Sequence, residues 1–146
     1  MNLIYDFDKD RLVKSIGKTV IPIGTIADIV TARQHGRELA LQSGFPSAEA
    51  TLVATVISEL ARNIVLYAKS GEIVLDCANG SNGKGIIIIS KDQGPGISDV
   101  ERALAGGYST SGGLGLGLSG VRRIVDDFSI DTAAGSGTTV VATIWM

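Results

Sequence analysis

Two short β-like runs joined by a glycine-rich turn limit what this chain can fold into. Glu72–Ala78 alternates in character, Asn79-Gly80-Ser81-Asn82-Gly83 is turn chemistry, and Lys84–Ser90 follows with four consecutive isoleucines. Strands this close in sequence must pair antiparallel, because a parallel neighbour needs a crossover of about a dozen residues. The isoleucine run places the second strand centrally in a sheet, covered on at least one face. Asp92 then lies just past the exit of this hairpin.

The rest of the chain supplies partners for it. Lys18–Ile23 is β-branched and reads as a strand, which Pro22 assigns to a sheet edge. Thr25-Ile26-Ala27-Asp28 opens a helix as a capping box, and Gly44 closes it. Ser47 is expected to cap a second helix reaching Tyr67. Its Val53, Val56, Ile57, Leu60, Ile64 and Tyr67 recur at three- and four-residue steps. Ser98–Glu101 resembles a short capped helix, and Gly106–Gly113 is a loop. Leu114–Asp127 reads as a third main helix. Ser129–Ala134 and Thr138–Trp145 form a closing hairpin around Gly135-Ser136-Gly137. The expected fold is α+β: a two-layer sandwich with a mixed, mostly antiparallel sheet and helices on one face. A doubly wound dinucleotide fold does not fit this order of elements.

Length and composition close off several functions. A chain of 146 residues is one domain, with enough core to fold without disulfides or metals. A net charge of −2 lacks the basic footprint of a nucleic-acid binder. The lone Cys77, inside an alternating run, reads as a buried structural thiol and fits a reducing cytoplasm. The lone His35 leaves no partner for Ser-His-Asp or Cys-His chemistry. The N-terminus has no long apolar stretch, and Ile86–Ile89 is too short to span a bilayer, so no membrane role is expected. Nine of the nineteen glycines fall between Gly94 and Gly120, a clustering that argues for loops with a specific duty.

Three constellations can carry chemistry. Glu59 and Asn63 are four residues apart on one side of the second helix, at the edge of its apolar stripe. A carboxylate there can accept a proton, and an amide oxygen can ligate a hard cation; a solvated polar pair is the plain alternative. Asp92-Gln93-Gly94-Pro95-Gly96 sets a carboxylate after a buried-looking strand, where it needs a hydrogen-bond donor such as an adenine N6 amino group. It is equally compatible with an ordinary turn. Tyr108–Gly117 leads hydroxyls and glycines into a helix N-terminus, where backbone N–H groups favour phosphate. Gly115-x-Gly117-x-x-Gly120 also matches a dinucleotide fingerprint, but the required strand–helix–strand setting is absent.

The sequence order of Glu59-x-x-x-Asn63, Asp92-x-Gly94-x-Gly96, Gly113-x-Gly115-x-Gly117 and Gly137-Thr138 resembles the GHKL ATPase superfamily and its Bergerat fold. The resemblance covers residues 18–146 and leaves residues 1–17 as an extension without an assigned role. Within that superfamily, Ser58–Asn63 and Gly107–Gly115 are most similar to the bacterial serine/threonine switch kinases of sigma-factor partner switching in the stressosome. The resemblance implies a cytoplasmic kinase that uses ATP and Mg²⁺. It would phosphorylate STAS-domain partners and, once released from them, bind and activate a PP2C-type phosphatase. Glu59 would be the general base and Asn63 the Mg²⁺ ligand. Asp92 would accept from adenine N6, with Gly94 and Gly96 giving the base room. Gly113, Gly115 and Gly117 would face the phosphates, and Thr138 would support the adenine end. An anti-sigma factor of the same fold, which sequesters a sigma factor directly, is the alternative. The ATPase module of a histidine kinase and an inactive nucleotide-binding scaffold fit less well.

Overall fold

The computed structural model describes residues 14–80, 83–97 and 117–146, with side chains from Lys18 onward. Its elements are β1 (Lys14–Ile23), α1 (Ile26–Gln42), α2 (Ser47–Asn63), a π-helical turn (Ile64–Ala68), β2 (Gly71–Gly80), β3 (Gly83–Asp92), α3 (Gly117–Ile124), β4 (Asp127–Thr132) and β5 (Thr138–Trp145). The strands form one sheet in the order β1-β2-β3-β5-β4, and every described pairing is antiparallel.

The β2–β3 hairpin is the spine of this sheet. Its register runs without a break from Gly71↔Asp92 to Gly80↔Gly83, so the turn is tighter than the five residues expected. Asp92 is therefore the last residue of β3 rather than a residue beyond it. All four isoleucines, Ile86 to Ile89, are buried, as a central strand requires. β1 lies at the edge, where the missing N–H of Pro22 breaks no interior ladder. It begins at Lys14, four residues before the expected start, and its register shifts between Ser15 and Lys18.

The helices cover one face of the sheet. Alternation along each strand sends Ile21, Ile23, Ile73, Leu75, Ile86, Ile88, Val140, Ala142 and Ile144 toward them. Val53, Val56, Ile57 and Leu60 of α2 meet these residues, joined by Ala32 and Ala40 of α1 and Val121 of α3. Each fully buried Leu, Ile or Val contributes about 1.5–3 kcal/mol before entropy is charged. Cys77 joins this core, with its Sγ 3.3 Å from Ser43 Oγ, a structural thiol as expected. The run Ser47–Ala68 has the length and apolarity of a membrane span, but half of it is buried within the fold as the central core helix.

Local signals explain the helix ends. The Thr25 side chain accepts from the Asp28 N–H while Asp28 Oδ2 accepts from the N–H groups of Gly24 and Thr25, both at 2.9 Å. Gly44, at φ +97, turns the chain out of α1. Ser47 does not cap α2. Pro46 takes the N-cap position, its carbonyl accepting from the Ala50 N–H, and Ser47 is the first helical residue. α3 stops at Ile124 rather than Asp127 because the next residues are drawn to the sheet edge. The Asp126 N–H donates to the Thr143 carbonyl, and the carboxylates of Asp126 and Asp127 accept from the Trp145 N–H and Nε1–H, each at 2.7 Å. The expected short helix at Ser98–Glu101, the Gly106–Gly113 loop and Leu114 lie outside the described residues.

Candidate functional site

Regular i, i+4 geometry ends at Asn63. The next five residues, Ile-Val-Leu-Tyr-Ala, form a π-helical turn, and Lys69 then adopts φ +72 and ψ −43. That backbone is unusual for a residue with a side chain, and single π turns inside helices recur at functional sites. No residue pattern signals the turn, because the apolar stripe runs straight on through Ile64. Its effect is to deliver Ala68 against the loop after β3. Gly94 lies so close to Ala68 that an added Cβ would come within 2.6 Å of the alanine Cβ.

The sheet end beneath this turn gathers the second constellation. Asp92 sits in register between Gly71 of β2 and Thr138 of β5. Its Oδ1 accepts the Gly94 N–H at 2.9 Å and shapes the adjoining turn. Gly96, at φ +74, lies where any side chain would strike the Ala133 carbonyl. Gly137, at φ +78, is pressed in the same way against the Asp92 carbonyl. The Gly135 N–H donates to the Pro95 carbonyl at 2.6 Å, so the β4–β5 turn and the Asp92 loop are stitched together.

Thr132 joins them further, and sequence reasoning missed it. Its Oγ1 accepts the Ile97 N–H at 2.9 Å, donates to the Gly137 carbonyl at 3.0 Å and pairs with the Thr138 hydroxyl at 2.9 Å. One hydroxyl thus uses its donor and both lone pairs. The Gly135-Ser136-Gly137 turn held the signal, since closing that hairpin sets Thr132 opposite Thr138.

Glu59 occupies the last full turn of α2 before Asn63. It is 9 % exposed, yet its carboxylate has no hydrogen-bond or ion-pair partner among the described residues. It opens into a groove of about 370 Å³ between α1 and α2, lined also by Arg33, Arg37, Thr51, Thr55 and Ser58. The hydroxyls of Thr51, Thr55 and Ser58 are spent on carbonyls one turn back, leaving the arginines and Glu59 as the groove's charged groups. The Asn63 side chain is half-buried and makes no hydrogen bond among the described residues, so its amide oxygen is available. Gly117 opens α3 at φ +65, with no atom of the described residues within 4 Å of where a Cβ would stand. Gly113 and Gly115 lie outside the described residues. The structure thus brings Asp92, Gly94, Gly96 and Thr138 to one sheet end, against the turn that extends from Glu59 and Asn63.

Residues 48–146 match the family described as histidine kinase-, DNA gyrase B-, and HSP90-like ATPase. The chain belongs to this ATPase family. ATP use follows from that membership, and the α+β fold is the family's. The chain is 46% identical to the serine/threonine-protein kinase RsbT of Bacillus subtilis (strain 168) over 129 residues, 88% of this chain and 97% of the relative. The protein serine/threonine kinase class read from the sequence agrees with that relative. The chain is also 30% identical to an anti-sigma F factor of Bacillus licheniformis over 97 residues, 63% of this chain and 66% of the relative. Two solved structures share the fold. One holds the RsbU and RsbW domains of Rv1364c from Mycobacterium tuberculosis (TM-score 0.59, 22% identity, 88% of this chain and 32% of that one). The other is a SiaB–SiaC complex from Pseudomonas aeruginosa (TM-score 0.58, 15% identity, 89% of this chain and 91% of that one).

Proposed function

We propose that this ATPase-family chain is a cytoplasmic protein serine/threonine kinase of a partner-switching pathway. It transfers the γ-phosphoryl group of ATP to a Ser or Thr of a STAS-domain partner. Released from that partner, it binds and activates a PP2C-type phosphatase. The observation that carries the reading is Glu59, a largely buried carboxylate without a partner among the described residues that opens into a groove between two helices. A structural glutamate so buried is expected to be paired. One that is unpaired and reachable from outside is suited to take a proton.

Asp92 accepts from the adenine N6 amino group, with Gly94 and Gly96 leaving space beneath the base and Thr138 supporting it. Gly113, Gly115 and Gly117 offer backbone N–H groups to the phosphates. The substrate hydroxyl oxygen bonds to the γ-phosphorus, the bond from that phosphorus to the ADP oxygen breaks, and the hydroxyl proton passes to Glu59. Positioning and charge neutralisation are most of what such a transfer needs. Asn63 fits a Mg²⁺ ion, since its half-buried amide oxygen is free among the described residues and Mg²⁺ takes few protein ligands beside phosphate and water. A Mg²⁺ ion held there would supply neutralisation of phosphate charge.

Incubation of purified protein with labelled ATP and candidate STAS proteins tests the reading. Label transfers with the wild type. With Glu59→Gln it falls at least about 100-fold, the range of general-base contributions, while ATP affinity holds. Transfer undiminished in Glu59→Gln removes Glu59 as the base. Recovery of a sigma factor instead of a STAS protein in a pull-down favours the anti-sigma alternative, the kind of protein the 30% relative is named for.

A further inference from the structure

The groove that holds Glu59 continues along α1 as an exposed stripe. Ile26, Val30, Arg33, Arg37 and Leu41 recur at three- and four-residue steps, so they share one side of that helix. Ile26, Val30 and Leu41 are large apolar side chains left 75, 38 and 41 % exposed. Ile26 and Leu41 stand about 22 Å apart at 1.5 Å per residue, with the two arginines between them. One exposed apolar residue needs no explanation, whereas a row of them at the rim of a charged groove marks a contact surface. The charge there is positive although the whole chain carries −2. Arg33 has no hydrogen-bond or ion-pair partner among the described residues, and Arg37 has only a long hydrogen bond of 3.4 Å from its Nη2 to Ser47 Oγ. The acids of α1 are engaged elsewhere: Asp28 accepts from Gly24 and Thr25 in the capping box, and Glu38 accepts from Gln42. Glu59 is the one carboxylate that lines the groove among the described residues. Gly36 explains how the arginines come to face it. A glycine inside a helix is costly relative to alanine, but a Cβ at this position would strike Ile57 of α2. The helices are thus drawn together at the turn that carries Arg33 and Arg37 on α1 and Ser58 and Glu59 on α2.

We propose that this surface docks the protein substrate through an acidic and apolar segment beside its accepting hydroxyl. Arg33 and Arg37 take carboxylates of that segment. Ile26 and Val30 at one end, and Leu41 at the other, take its apolar side chains. The hydroxyl is thereby led to Glu59. The inference rests on the kinase reading of Glu59 and adds the chemistry that selects the partner. Glu59 also sets the register of such a segment. Its charge repels a carboxylate placed beside it, so acidic residues settle on the arginine side and a neutral hydroxyl is what the Glu59 side admits. Complementary charge of this kind speeds encounter and rejects partners of the wrong sign.

The test uses the full-length protein and the STAS protein that it binds or labels most readily, with partner affinity read by calorimetry and label transfer read separately. Arg33→Glu combined with Arg37→Glu is expected to raise the partner's Kd and KM at least about tenfold, with kcat changed far less. Unchanged Mg·ATP affinity shows that this variant is folded. Arg33→Lys with Arg37→Lys should keep most of the affinity, and exchanging Asp or Glu for Lys near the partner's accepting residue should restore binding to the Glu variant. Raising salt from about 0.05 to about 0.5 M should weaken the wild type more than the Glu variant. Affinity and transfer equal to wild type in the Glu variant overturn the docking surface and leave the role of Glu59 standing. Affinity that depends on the arginines without any transfer supports the surface and removes the kinase reading. A wild-type protein that neither binds nor labels any STAS protein refutes both. Self-association lost in the Glu variant, with partner affinity unchanged, assigns the surface to a second copy of the chain and overturns the proposal.

Discussion

Asp92→Asn separates what this residue does for the fold from what it does for a ligand. Oδ1 accepts the Gly94 N–H at 2.9 Å and holds the turn, while Oδ2 has no partner among the described residues. Asparagine keeps an oxygen for Gly94 and puts an amino group where Oδ2 stood. The turn survives, so thermal stability is expected to stay near wild type. An adenine N6 amino group, however, then meets a donor instead of an anionic acceptor. A hydrogen bond to a charged group contributes about 1.5–3 kcal/mol. At about 1.4 kcal/mol per tenfold, ATP binding should weaken about 10- to 150-fold. Titration calorimetry with Mg·ATP and Mg·GTP reads both affinity and selectivity. The new amino group can donate to guanine O6, so the preference for ATP over GTP should shrink as ATP affinity falls. An unchanged dissociation constant for ATP, in a variant whose melting temperature is also unchanged, refutes the assignment of Asp92 to the base.

Thr132→Val removes the hydroxyl shared by Ile97, Gly137 and Thr138 and strands the Ile97 N–H. We expect a loss of about 1–3 kcal/mol in urea titrations and weaker ATP binding, with the Glu59 side of the site intact. Thr143→Val has the opposite sign. Thr143 Oγ1 is buried without a hydrogen-bond partner among the described residues, so an isosteric apolar replacement should raise stability by about 1 kcal/mol. Thr25→Ala breaks the α1 capping box at about 1 kcal/mol in the same titrations. The N–H groups of Gly24 and Thr25, with the Thr25 hydroxyl, hold the Asp28 carboxyl below its usual pKa. Its contribution is therefore complete above the ordinary carboxylate value and disappears as pH falls through the lowered one. Asp28→Asn should be less stable than wild type at neutral pH and converge with it in acid.

Much of the fold was legible because its signals are local. Pro22 marked an edge, four isoleucines marked a centre, and Thr25 with Asp28 marked a helix start. Each of these acts within a few residues of itself. The misses depended mostly on partners distant in sequence. Asp127 read as helical because nothing nearby reveals that Trp145 will claim it. Thr132 gained its role only when the β4–β5 register set it opposite Thr138. Ser47 is the exception, a local misreading: it looked like a cap although the fixed geometry of Pro46 takes that position. In the site, residue types and their order showed through, whereas the π turn at Ile64–Ala68 did not, since a π turn and an α turn bury the same apolar stripe.

That turn has a consequence for how the chain can change length. A π turn is an α-helix with one residue too many. Loss of one residue from Ile64–Ala68 can be absorbed by a return to regular pitch, whereas one residue gained would be a second surplus, turning the chain beyond by about 100° and carrying Ala68 off Gly94. The connection from Asn63 to the Asp92 loop should therefore tolerate a one-residue loss better than a one-residue gain, which melting temperatures of the two variants would show.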